Sequence, residues 1–291
     1  MTAKRNRWLI GTVLTLALAA FLSLSLLPIL GSNNTRKATG TNGATTADPA
    51  ALQAELESQA KGYQLVLERE PDNQTALKGL IDTQIQLGNV AGIVEPLGKL
   101  VELNPTVPEY QVLLAQTKQQ LGDLEGAAQI YRQVLDQNPG DMNALQGLTA
   151  LLVQQNRPQA AIGLLQDTLK TADRLQRDGN SLRVDTISVK LLLAQVYLEA
   201  NSPDKALALY DETMASAPTD FRPVLAKALV LQERGESAAA QDLFTQATAM
   251  APAQFKDQIS QMASSGQTPE SSPLETTVTP TEEPAPTSAP E

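Results

Sequence analysis

The chain contains no cysteine and no histidine, and only 3% of its 291 residues are aromatic. Without cysteine there are no disulfides and no thiolate nucleophiles. Without histidine there are no imidazole bases and no Ser-His-Asp triads, and the two absences together exclude Cys/His metal sites. The 42% of hydrophobic residues are mostly Leu, Ala, Val and Ile, a set suited to close helix packing. Basic surface is also short, with a net charge of -10. Residues 1–37 hold five of the basic side chains and no acidic one, and residues 264–291 hold five Glu and no basic one, so 17 basic and 27 acidic side chains remain between them. Nucleic-acid binding replaces counterions at phosphates with Lys and Arg, and this balance argues against it.

One long apolar run is present. Residues 8–30, WLIGTVLTLALAAFLSLSLLPIL, carry no charge and follow Lys4, Arg5 and Arg7 in the basic flank 1–7. As a helix rising 1.5 Å per residue, the run is long enough to span a bilayer core of roughly 30 Å. It exceeds the usual apolar region of a secretory signal and has no small-residue cleavage site after Leu30, so an uncleaved anchor is expected, with a cleaved signal peptide as the alternative. No cysteine is available for lipid attachment. The basic flank places the amino terminus in the cytoplasm and the remaining chain in a periplasm or lumen, as for a single-pass protein of a bacterial inner membrane or thylakoid. Residues 31–48 are small, polar and aperiodic, which implies a flexible linker. Residues 264–291, rich in Pro, Thr, Ser and Glu, imply a disordered tail.

Between linker and tail the sequence repeats itself. GDLEGAAQIYRQVLDQNP (122–139) and NSPDKALALYDETMASAP (201–218) share Ala, Tyr and Pro at matching positions. Pro71, Pro105 and Pro139 are spaced by 34 residues, as are Pro218 and Pro252, and the gap from Pro139 to Pro218 is two periods plus 11. Units begin at Gln74, Pro108, Met142, Ile187 and Phe221, spanning 74–107, 108–141, 142–175, 187–220 and 221–254, with an insertion at 176–186. Place eight holds Ala115, Thr149, Ala194 and Ala228; place twenty holds Ala127, Ala161, Ala206 and Ala240; place twenty-four is large throughout (Leu97, Tyr131, Leu165, Tyr210, Phe244). The small residues permit close helix approach and the large one fills the space beside them. Ile93, Lys118, Lys227 and Asp173 depart from this pattern.

In period and pattern this region resembles the tetratricopeptide repeat (TPR) family, whose 34-residue unit is a helix-turn-helix. The resemblance implies an all-α solenoid of about five units over residues 49–263, with a capping helix from Pro49 to Glu70 and another after Pro252; the apolar run adds one amino-terminal transmembrane helix before it. It also implies a concave groove lined from the first helix of each unit. The groove residues so implied are Lys78, Asp82, Gln86, Val112, Gln116, Gln120, Gln146, Gln154, Leu191, Gln195, Glu199 and Gln232, flanked by others such as Ile85, Leu198, Leu229 and Glu233. This lining is rich in amides. It lacks the Lys/Asn set with which some TPR proteins clamp a peptide carboxylate, so the expected partner is an extended or helical protein segment. The insertion reads as an elongated helical hairpin turning at Asp178-Gly179-Asn180-Ser181, with Arg174, Arg177 and Arg183 as a second contact site.

No catalytic, cofactor or metal residues emerge. GIVEPLGKL (92–100) has five residues between its glycines where a phosphate loop needs four, and no Ser or Thr after Lys99. RDGNS lacks the spaced ligands of a calcium loop. The sequence points to a non-enzymatic, membrane-anchored scaffold that binds protein, and resemblance to anchored TPR proteins implies a role in assembling or maturing a membrane or envelope complex. Two alternatives stand beside it: a secreted periplasmic chaperone-like adaptor, and a non-catalytic subunit of a cell-wall or polysaccharide export machinery.

Overall fold

The computed structural model describes residues 49–179 and 182–265, and its regular elements there are twelve α-helices and one 3-10 turn. The helices are α1 Pro49–Arg69, α2 Gln74–Gln86, α3 Val94–Leu103, α4 Pro108–Gln120, α5 Leu124–Gln137, α6 Met142–Gln154, α7 Pro158–Arg177, α8 Thr186–Glu199, α9 Pro203–Ser216, α10 Phe221–Glu233, α11 Ser237–Met250 and α12 Ala253–Ser265. Each expected unit is a pair, with a first helix (α2, α4, α6, α8, α10) and a second (α3, α5, α7, α9, α11). The basic flank 1–7, the apolar run 8–30, the linker 31–48 and residues 266–291 of the tail lie outside the described residues. Among the described residues, no helix is long and apolar enough to cross a membrane.

The turn inside every unit is set by one position. At place fifteen the backbone enters the left-handed region five times, at Gly88, Gly122, Asn156, Asn201 and Gly235, with φ between 55° and 86°. Glycine has no Cβ to clash there, and Asn is among the few side chains that tolerate the conformation. The next amide always reaches back five residues: Asn89 to Gln84, Asp123 to Lys118, Arg157 to Leu152, Ser202 to Tyr197 and Glu236 to Leu231. This is the Schellman closure, which satisfies carbonyls left over at the end of the first helix.

Helix starts are equally local. Asn73, Asp123, Asp141 and Asp185 each accept from the amide three residues on, while Pro108, Pro158 and Pro203 occupy first-turn positions where no N–H is needed. α1, α3, α5, α9 and α11 all stop two residues before their proline, since the residue preceding proline is steered out of helical angles. Asp173 replaces that proline in the third unit, and α7 runs on to Arg177. The expected hairpin of two lengthened helices is therefore corrected: all the extra helix belongs to α7, whereas α8 has ordinary length and is reached by an irregular segment. That segment passes so near Gly140 that a methyl group there would meet the Arg183 carbonyl at 3.0 Å and Val184 Cγ2 at 3.0 Å. In the first unit, Pro96 cannot donate within a continuous second helix, and the element splits into the 3-10 turn Val90–Ile93 followed by the short α3.

Neighbouring units interlock through a volume-matched pair. Tyr131 (place twenty-four) lies over Gly147, sixteen residues on, and Tyr63 lies over Gly79 in the same way; a Cβ on either glycine would overlap the ring. Where place twenty-four is Leu97 or Leu165, the matching residue is Leu113 or, across the insertion, Leu192, and each pair shares an apolar cluster. Tyr210 meets Ala226 in another. A large ring faces a small residue and a medium chain faces a medium chain, so the space between units is filled at near-constant volume.

The insertion does not divide the core. Val112 to Leu165 and Val189, Leu193 and Val196 of α8 form one cluster across it. Buried threonines Thr83, Thr117, Thr168 and Thr213 donate to the carbonyl four residues back. Thr149 is an exception: its hydroxyl is buried without a partner.

The two ends differ from the middle. Leu100, Val134, Thr168, Thr213 and Ala247, at place twenty-seven, are all buried, but Val66, one period before Leu100, is 39% exposed. Its helix α1 has no first helix to pack on among the described residues, and Gln59 stands where units two to five place Ala. At the other end α12 seals the stack with Ile259 and Ala263 and turns polar side chains outward. The helix extends two residues past the expected boundary at 263.

Candidate protein-binding face

The first helices form the inner layer. α4 packs on α6 and α6 on α8 across units, in addition to each helix's contact with its own partner. Side chains at places nine, twelve and thirteen of these helices project onto the shared face, where Gln119 Nε2 of α4 comes within 3.5 Å of Gln154 Oε1 of α6. Tyr131 extends its hydroxyl to Gln119 Oε1 at 3.4 Å from below, and burial pushes this phenol up to about 12.

Most expected groove residues reach this face. Lys78, Gln86, Gln116, Gln120, Gln154 and Glu199 are exposed, and Asp82, Gln146 and Gln195 are half-buried. Lys78 Nζ sits 5.7 Å from the centroid of the Tyr110 ring, a cation-π contact between units one and two. Ile85, an exposed apolar side chain, and the half-buried Val153, Leu198 and Leu229 interrupt the amides.

Three expected groove residues do not line an open surface. Val112 is 4% exposed and Leu191 6%, each within an apolar cluster between units. Place five is buried wherever it is aliphatic, because an apolar side chain there joins the cluster shared with the next unit. Gln232 is spent internally, with Nε2 donating to the carbonyls of Met262 and Ala263 at the end of α12. There it satisfies acceptors that the helix end leaves open.

The second contact site is only partly assembled. Arg174 and Arg177 are exposed in the last turn of α7, where positive charge complements the helix dipole, and Arg177 Nε donates to the Asp173 carbonyl at 3.2 Å. Arg183 is exposed on the segment beyond residues 180–181, which are not described.

Arg222, near the rim between units four and five, carries a charge that is already matched. Its guanidinium donates to both Asp220 oxygens at 2.7 to 3.1 Å and to Ser188 Oγ at 2.8 Å, with Asp185 3.8 Å away. Burial raises the Asp220 carboxyl, but the hydrogen bonds from Arg222 outweigh it and hold the group below the usual carboxylate value. The hydrogen bond to Asp220 in turn raises Arg222. A signal in the sequence was available: the spacing Asp220-x-Arg222 allows a helix-capping aspartate to hold an arginine of the first turn. Asp82 and Glu233 behave oppositely, since burial raises both carboxyls and neither has an ion-pair partner among the described residues. No group of three or more acidic side chains among those residues is arranged to hold a metal ion.

Three comparisons bear on this architecture. A family model described as tetratricopeptide repeat matches residues 118–180. The chain is 28% identical over 187 residues to cellulose synthase operon protein C of Xanthomonas axonopodis pv. citri; the match covers 53% of this chain but only 12% of that protein. Among solved structures, yeast Tom70 superposes with a TM-score of 0.50 at 14% identity, over 71% of this chain and 42% of Tom70. A TPR protein of Thermus thermophilus gives 0.45 at 18% identity, over 66% of this chain and 98% of its own. The chain is thus a helix-pair solenoid whose central residues, 118–180, match the tetratricopeptide repeat family.

Proposed function

We propose that this protein is a non-catalytic scaffold that binds a protein segment along its inner face, held at a membrane by residues 8–30 with the solenoid on the periplasmic or lumenal side. The observation that carries the reading is the row of exposed amides and apolar side chains on adjoining first helices, which can hydrogen-bond an extended or helical segment and seat its apolar residues. Anchoring confines the search for a weakly held partner to the membrane surface and raises its effective concentration. The pathway proposed is assembly or maturation of a membrane or envelope complex.

The test is crosslinking and affinity purification of the full-length protein from its native membranes, beside a variant with Gln116, Gln120, Gln154 and Gln195 changed to Glu. A partner lost from a variant that remains fully helical supports the inner face. A partner retained by both refutes it and moves attention to Arg174, Arg177 and Arg183. Mass spectrometry of the mature chain tests the anchor, since loss of about the first 30 residues identifies a cleaved signal.

The match to the Xanthomonas protein favours a second reading, a non-catalytic subunit of a polysaccharide export machinery. Co-purification of a synthase or an export channel distinguishes it.

A further inference from the structure

The charges of the inner face are not balanced within the fold. Lys118 is tied to Asp123 at 2.6 Å, Arg222 to Asp220 at 2.7 Å, and Arg234 to Asp204 and Glu236 at 3.1 and 2.9 Å. Lys190 and Lys227 are drawn to the second helix α9 by Glu212 and Asp211. Asp82, Glu199 and Glu233, on α2, α8 and α10, have no ion-pair partner among the described residues. Lys78 on α2 is held by an aromatic ring and pairs with no carboxylate among the described residues.

Place thirteen changes along the stack. It reads Gln86, Gln120 and Gln154 in units one to three and Glu199 and Glu233 in units four and five, while the apolar Leu198 and Leu229 stand beside the two glutamates. At place thirteen the first three units are neutral, and the last two set an acid on the same helix as a half-buried leucine. We infer that the face takes a protein segment bearing Lys or Arg together with apolar side chains, its cations meeting Glu199 and Glu233 and its apolar residues meeting Leu198 and Leu229. Charge complementarity selects this occupant: an acidic segment would face unpaired carboxylates, and a neutral one would leave them desolvated without compensation. Partial burial raises the Glu233 carboxyl, and no cation among the described residues pairs with it, so a cation supplied by a partner would offset that cost.

The inference rests on the inner face being the binding surface, and the experiment separates the two ideas. Fluorescence anisotropy is measured on the full-length protein with a short labelled peptide of Lys, Leu and Gln, and with versions in which each Lys is replaced by Gln or by Glu. The protein is compared with Glu199→Gln/Glu233→Gln and with Asp136→Asn/Asp242→Asn, which removes the same charge from the second helices α5 and α11. The expected result is binding of the Lys peptide, weakened about five- to tenfold by Glu199→Gln/Glu233→Gln and by less than about twofold in the control variant. Equal weakening in both variants means diffuse attraction to an acidic protein and overturns the inference. Groove-dependent binding of the Gln or Glu peptide also overturns it while leaving the scaffold intact. If none of the peptides binds, the partner class is wrong, and the purification from native membranes decides the scaffold on its own.

Discussion

The junction between units two and three and the junction between units four and five have the same geometry but different surface chemistry. Both are built on a tyrosine over a small residue, Tyr131 on Gly147 and Tyr210 near Ala226. Around the first, the cross-unit polar contact is an amide pair, Gln119 with Gln154. Around the second stand the ion pairs Lys227 with Asp211 and Arg234 with Asp204, and Arg222 reaches Asp185 at the start of α8. The stack is therefore held by the buried volume match, and the surface around it is free to vary. Exposed ion pairs add little once the apolar contact is made, because water already solvates both partners well.

The largest effect is expected from breaking the volume match. Gly147→Leu forces the new side chain into the Tyr131 ring and should cost about 3 kcal/mol, at the upper end for overpacking. Thermal unfolding followed by circular dichroism measures it. Adding Tyr131→Leu should restore most of the loss, since the pair then repeats Leu97 with Leu113; no recovery in the double variant would show that the two positions are not matched by volume.

Next come the turns. Gly122→Ala and Gly235→Ala place a Cβ at positive φ and should each cost about 1 to 2 kcal/mol. Asn156→Gly, which removes a Cβ at the same place of unit three, should be neutral or slightly stabilising. Equal losses at Gly122 and Gly235 would show the two regions to be alike in their backbone.

Thr149→Ala sharpens the contrast within the core. It removes a buried hydroxyl without a partner and restores the alanine found at place eight in other units, so a gain of about 1 kcal/mol is expected. The same change at Thr213, whose hydroxyl donates to Leu209, should bring no such gain.

The pH dependence has opposite signs in the two kinds of carboxylate. Asp220 has a lowered folded-state pKa, so its contribution is fully present above the unfolded carboxylate value and is lost as pH falls through the lower, folded one. Asp82 and Glu233 are raised, so they cost stability at neutral pH, and that cost disappears as pH falls from the raised value to the unfolded one. Glu233→Gln should accordingly raise the unfolding temperature at pH 7 and lose this advantage near pH 4. A constant advantage across the range would remove burial of the charge as its cause.

The smallest effect is expected at Asp211→Asn, at most about 1 kcal/mol at low salt and nothing measurable at high salt.

Much of the fold was legible because its determinants are local and recur. Proline ends the second helices, small residues mark the close approaches, and a period of 34 sets the unit, so five helix pairs and their starts at Gln74, Pro108, Met142 and Phe221 could be placed before any coordinates. The left-handed turn at place fifteen is equally legible, as Gly or Asn in every unit. The candidate site was less legible. Place five was assigned to the groove as a class, yet Val112 and Leu191 are core while Lys78 is exposed, because burial at that place depends on what the next unit presents. Gln232 could not be recognised as a helix-end partner without knowing where α12 stops.

By itself, then, the sequence determined the repeat, the helix ends and the amide-rich character of one helix face, since each depends on residues close in the chain. The tertiary structure decided which aromatic meets which glycine, where the segment after α7 passes beside Gly140, and which carboxylates remain without a cation among the described residues. Those outcomes depend on contacts between residues sixteen or more apart, where packing and the competition among charges set the result.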